Sequence, residues 1–105
     1  MSRILRRPGV DDDAAELARY LIDQSEDTAR RFVDAVQKTL KDLARMPGMG
    51  SRKEFPDPDL SQVRSWRVEG FPNHLIYYLP LTDGIDVLAI MHGARDVEHE
   101  LRRRV

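Results

Sequence analysis

Residues Gly84 to Asp96, reading G-I-D-V-L-A-I-M-H-G-A-R-D, leave the chain little choice of architecture. Ile85, Val87, Leu88, Ala89, Ile90 and Met91 form a short, nearly continuous apolar run. Such a run suits a strand covered on both faces, at the centre of a sheet. Polar groups then appear at His92-Gly93-Ala94-Arg95-Asp96, where the strand should end, and Gly93 lets the backbone turn without a Cβ clash. Sites are often built at such a rim, so this exit is the first candidate.

The rest of the chain supplies partners for that strand. Ser2–Arg7 is a short strand candidate, ended by Pro8-Gly9. Asp11, Asp12 and Asp13 put negative charge where a helix N-terminus is positive, and Asp13 with Glu16 is spaced like a capping box. Ala14, Leu17, Ala18, Leu21 and Ile22 then predict an amphipathic helix over about 12–24. After a polar break, Ser25 or Asp27 is positioned to cap a second helix. Its stripe is Ala29, Phe32, Val33, Val36, Leu40, Leu43 and Ala44, and Met46-Pro47-Gly48 stops it. So short a break makes the two helices an antiparallel hairpin. Residues 47–62 read as a loop rich in Pro and Gly. Strands follow at Val63–Glu69, His74–Leu79 and Ile85–His92, then a charged helix over Val97–Arg104.

The expected fold is therefore α+β, β-α-α-β-β-β in two layers. The helical hairpin packs on one face of an antiparallel sheet, and a short C-terminal helix closes the chain. The N-terminal strand should pair with the free edge of the last one. A two-layer fold of this kind leaves the second sheet face uncovered. Its 105 residues make a single domain, 1–105.

Composition removes several function classes. Without cysteine there is no disulfide, thiolate nucleophile or Cys-ligated metal. No apolar run approaches the ~20 residues that span a bilayer. The basic Met1–Arg7 segment is followed by no signal-peptide core, so the expectation is cytoplasmic. A net charge of −1 does not announce a nucleic-acid binder. Charge is nevertheless segregated: residues 11–27 carry seven acids against Arg19, and residues 28–53 carry seven bases against Asp34 and Asp42. Mutual pairing of the two helices accounts for this; a basic face for an acidic partner is the alternative.

Several stretches together resemble the ParE branch of the RelE/ParE toxins of bacterial type II toxin–antitoxin systems. They are Ala15-Glu16-Leu17-Ala18-Arg19-Tyr20-Leu21, the helix start Ser25-x-x-Thr28-Ala29-x-x-Phe32, and the helix exit Leu43-Ala44-Arg45-Met46-Pro47-Gly48-Met49-Gly50. Val63-Arg64-Ser65-Trp66-Arg67-Val68, Asn73-His74-Leu75-Ile76-Tyr77-Tyr78 and Val87-Leu88-x-Ile90-x-His92-Gly93-Ala94-Arg95-Asp96 follow in the family's order. The resemblance implies a growth-inhibiting toxin neutralised by a ParD-like antitoxin in a hetero-oligomer. For ParE relatives it implies DNA gyrase as the poisoned target; for RelE relatives, cleavage of ribosome-bound mRNA. Fold alone does not choose between them.

The residues can be weighed against both. Metal-free RNA cleavage needs a base, an acid and cations for the phosphorane. His92 and Glu69 could serve as the first two, and Arg64, Arg67 and Arg95 as the third, on adjacent strands. Against this, the chain is nearly neutral, carries only Lys53 where the nucleases carry catalytic lysines, and has no Tyr after His92. The first reading is thus a gyrase inhibitor with no catalytic residue of its own, touching its target through Arg67, His92, Arg95, Arg102 and Arg103. His92 could equally cap the strand end. Arg95 and Asp96 could pair or hold the C-terminal segment, and Arg102-Arg103-Arg104 could be a solvated tail. Tyr20, Leu21, Phe32, Trp66 and Tyr78 are candidates for antitoxin contact, with core packing as the plain alternative. His74 and His99 read as isolated and exposed. No pair has convincing metal spacing, so neither metal nor cofactor is expected, and neither a membrane nor stable nucleic-acid binding by the chain alone.

Overall fold

A computed structural model describes residues 2–93 and 95–105; Ala94 of the strand-exit motif lies outside them. The order is β1 (Arg3–Arg6), α1 (Val10–Ile22), α2 (Glu26–Arg45), β2 (Ser51–Arg52), a 3-10 turn (Pro58–Leu60), β3 (Arg64–Val68), β4 (Phe71–Leu81), β5 (Gly84–His92) and α3 (Val97–Arg104). The five strands form one sheet in the order β1-β5-β4-β3-β2. It is antiparallel from β2 through β5 and parallel where β1 joins β5. The fold is the expected α+β arrangement, with β5 inside the sheet and buried along nearly its whole length.

Local chemistry explains the helices. Ser25 has extended backbone and its hydroxyl accepts the Thr28 N–H at 3.2 Å, which caps α2. Proline at 47 disfavours helical backbone at Met46, where α2 stops. α1 begins earlier than its acidic run suggested. Its N-cap is Gly9 at φ 96°, a left-handed conformation that L side chains rarely adopt. The Asp13–Glu16 capping box is therefore not formed, because Asp13 already lies in the first turn of the helix and its carboxylate is used elsewhere. The expected loop over 47–62 contains the two-residue β2 and the 3-10 turn.

Two cores sandwich the sheet. On one face Phe32, Val36, Leu40 and Leu43 of α2 pack on Ile76, Tyr78, Ile85, Val87 and Ile90. On the other, Leu60, Val63 and Leu101 cover Tyr77, Leu88, Ala89 and Met91. The second face is thus not uncovered as expected: α3 and the 55–63 segment roof it, with Phe55 and Val97 at the margins. A bulge makes this possible. Tyr77 pairs with Ala89 but Tyr78 with Val87, so Leu88 is the extra residue. Leu88 and Ala89 then lie on the same face instead of alternating. That is why the run reads as continuously apolar. At the strand's start, a Cβ on Gly84 would collide with the Arg3 backbone, so glycine is what lets β1 lie against β5.

Candidate target-binding rim

β1 accompanies β5 only part of the way. The Arg7 N–H to Val87 carbonyl bond, 2.9 Å, is their last backbone link. Past it the bulge turns the Leu88 carbonyl and the Ile90 N–H toward the vacated edge. Two side chains meet them. The Asp13 carboxylate accepts the Ile90 N–H at 3.0 Å, and the Arg104 guanidinium donates to the Leu88 carbonyl at 3.2 Å. Arg104 also forks onto both Asp13 oxygens, at 2.6 and 2.8 Å. The two side chains are only 17% and 12% exposed, so the pair is largely dry. Asp13 pushes the Arg104 pKa above its ordinary value and so fixes its charge. The last residue of α3 is therefore not a solvated tail: it ties that helix to α1 and β5. Its guanidinium lies over Gly9, and Arg7, paired to Asp86 at 3.1 Å, donates to the Arg104 carbonyl.

Next along β5 comes a cleft of about 90 Å³. Glu16, Leu17 and Tyr20 of α1 line one side; Met91, His92 and Arg95 line the other. Tyr20, His92 and Arg95, three of the sequence candidates, meet here, and all are exposed. Asp96 does not pair with Arg95 but caps α3, its carboxylate accepting the His99 N–H at 3.3 Å. His74 is not isolated. Its ring lies edge-on to Phe32 at 5.1 Å and to the His92 ring across the strands at 5.4 Å, with Phe71 also beside it. Burial, and then the neighbouring His92, lower its pKa. Its Nδ1 is buried without a hydrogen bond, which also favours the neutral ring. His99 is exposed, as read.

The residues of the nuclease reading do not converge. Arg64 donates to the Gly50 carbonyl at 2.6 Å and holds the loop after α2. It pairs with Tyr78, four residues along β4 from the His74 that faces His92, a separation of roughly 13 Å. Arg67 pairs with Leu75, one residue after His74, so alternation directs it to the opposite sheet face from His92, and it folds over the Trp66 ring at 4.9 Å. Glu69 is bound by Lys38 of α2 at 3.0 Å. Only His92 and Arg95 share a site. Among the described residues no three imidazoles or carboxylates gather as metal ligands.

The antitoxin candidates divide by burial. Tyr20 is 75% exposed and Trp66 partly so. Leu21, Phe32 and Tyr78 are buried. The Tyr78 hydroxyl accepts the Gly50 N–H at 2.9 Å and donates to the Pro47 carbonyl at 2.8 Å, a structural task. Arg102 and Arg103 are exposed but engaged, with Asp57 and Glu100, each at 3.0 Å.

Sequence reasoning missed Asp13, Arg104 and His74. Of the three, only His74 left a signal: it follows Asn73 at the head of the strand antiparallel to the one that ends in His92.

The fold is a small α+β domain in which a helical hairpin packs on a short sheet. Residues 4–97 match the family described as ParE toxin of type II toxin-antitoxin system, parDE, and the chain belongs to that family. Among curated proteins, none matches it. No helix of the described residues is long and apolar enough to cross a membrane.

Proposed function

We propose that this toxin arrests growth by binding and poisoning DNA gyrase, without chemistry of its own, and that a ParD-like antitoxin neutralises it. What supports the reading is the dispersal of Arg64, Arg67 and Glu69 away from His92, which leaves a binding rim in place of a reaction centre. Arg95 and His92 form that rim, Arg102 and Arg103 extend the charge along α3, and Arg67, on the opposite sheet face, would touch the target only as a separate contact. On this reading Tyr20 and Trp66 meet the antitoxin directly, while Leu21, Phe32 and Tyr78 shape the surface from below. A gyrase inhibitor works in the cytoplasm, where its target is.

The test is a supercoiling and DNA-cleavage assay with purified toxin and gyrase. Inhibition with trapped cleaved DNA, relieved by the co-expressed antitoxin and weakened by Arg95→Ala, is the expected result. Intact supercoiling at large toxin excess, with ribosome-dependent mRNA cleavage that His92→Ala abolishes, would replace the proposal with the nuclease reading.

A further inference from the structure

The chain has three histidines and no cysteine, and the fold sets two of the three side by side. His74 of β4 and His92 of β5 are directly opposite in the ladder. Beyond them the Gly93 N–H donates to the Asn73 carbonyl at 2.9 Å. Residues 73 and 93 are therefore a hydrogen-bonded pair, and 74 and 92 the adjoining non-bonded pair, where facing side chains stand closest. The two rings are 5.4 Å apart, centre to centre. An imidazole nitrogen binds zinc at about 2.0–2.1 Å, which puts the ring centre roughly 3.2 Å from the ion and two rings at the tetrahedral angle roughly 5.2 Å apart. The spacing already suits two imidazoles on one ion.

One ring is held and the other can turn. His74 is fixed by Phe32 and Phe71, edge-on at 5.1 and 6.1 Å. Its Nδ1 is buried, and its Nε2, with no hydrogen bond among the described residues, opens to solvent. His92 is exposed, so its ring can turn a nitrogen toward the same point.

We propose that His74 and His92 bind one divalent transition-metal ion of the zinc class at the end of the sheet, beside Arg95. The inference goes beyond the gyrase reading and does not depend on it. Neutral imidazole is a ligand for zinc, nickel and copper, whereas magnesium and calcium take oxygen. Two imidazoles are fewer than the three protein ligands of a catalytic zinc, so water completes the shell and the site stays open to a further donor. Arg95 lines the same cleft as His92 and opposes a cation; Glu16, across the cleft, favours one. The His74 Nδ1 has no acceptor to steady the ring, and lack of such support costs a metal site about 10–100-fold in affinity. The ion is therefore exchangeable, not a structural staple. Spacing along the chain does not reveal the pair, because strand register alone brings the two rings together.

The test is a titration of the tag-free full chain with Zn²⁺, followed by calorimetry and by the ring proton–nitrogen signals of the histidines. One equivalent of zinc should move the His74 and His92 rings and leave His99 in place. His74→Phe keeps an aromatic ring beside Phe32 and Phe71 but removes the nitrogens, and His92→Ala removes the exposed partner. Each should weaken zinc by roughly a hundredfold, since the second ligand of a chelate binds at high effective concentration. His99→Ala should change nothing, and Mg²⁺ should leave all three rings unmoved.

The inference is overturned by zinc shifts at His92 alone or equally at His99, by undiminished affinity in the folded His74→Phe or His92→Ala chain, or by Mg²⁺ acting like Zn²⁺. A complex of two chains per zinc would also overturn it, by assigning the histidines to a bridge between copies. Supercoiling assays keep the questions apart: a His74→Phe chain that still inhibits gyrase but has lost zinc upholds both readings, and zinc binding by a chain that leaves gyrase untouched upholds this one alone.

Discussion

The two halves of β5 solve one problem in different ways. From Gly84 to Val87 its outer edge is satisfied by another strand, through a parallel ladder with β1. From Leu88 to Ile90 it is satisfied by two side chains, one from α1 and one from α3. Asp13 accepts and Arg104 donates, as a strand would, but each also neutralises the other. A ladder tolerates the loss of one side chain, because its bonds belong to the backbone. A side-chain substitute does not, because removing one partner leaves the other charged, dry and alone. The second half of β5 is therefore the more fragile, although it is no less buried than the first.

Substitutions can break that contrast. Arg104→Ala should have the largest effect, about 3–5 kcal/mol, since it strands the Asp13 carboxylate and the Leu88 carbonyl together. Urea denaturation measures it. Asp13→Ala combined with Arg104→Ala should cost less than the sum of the single changes; strict additivity would mean that the two do not act as a unit. In the first half of β5, Leu5→Pro should destabilise by about 1–3 kcal/mol through a lost ladder bond, and Ile4→Pro by clearly less. Equal losses would show the β1 register to be wrong. Hydrogen exchange sharpens the contrast further: the Ile90 amide should be protected in the parent chain and exchange much faster in Asp13→Ala, with Val87 little changed.

The smallest effect concerns pH. His74 sits below the ordinary histidine value of 6.5 in the folded chain, chiefly through burial. The unfolded chain therefore binds a proton that the folded chain resists. Its contribution to stability is whole above pH 6.5 and is lost as pH falls through the lower folded value. His74→Phe should flatten that part of the melting-temperature profile between neutral and mildly acidic pH; an unchanged slope would mean other groups produce it.

What was legible in the sequence was local. The Ser25 cap, the helical hairpin and the bounds of α3 each depend on residues within a few positions of one another. The central placement of β5 followed from its own apolar run. The Asp13–Arg104 pair was not legible, because its members lie 91 residues apart. Each also has an ordinary local meaning: an acid at a helix start and an arginine in a charged run. The roof over the second sheet face was hidden similarly, since Leu60, Val63 and Leu101 stand singly among polar neighbours. Of the candidate site, the Arg95–His92 rim was read from the strand exit. The seclusion of Phe32 and Tyr78, and the separation of Arg64 from His92, depend on register and facing, which periodicity does not fix across strands.

The Arg104 fork also sets an order in time. Synthesis proceeds from the N-terminus at about 5–20 residues per second, and α1 is complete while most of the sheet has yet to be made. Asp13 must then wait, hydrated, until Arg104 has been added and has left the ribosome. Until that moment the later half of β5 has no closing partner. The unfinished toxin is a chain whose final edge is still open to whatever reaches it first.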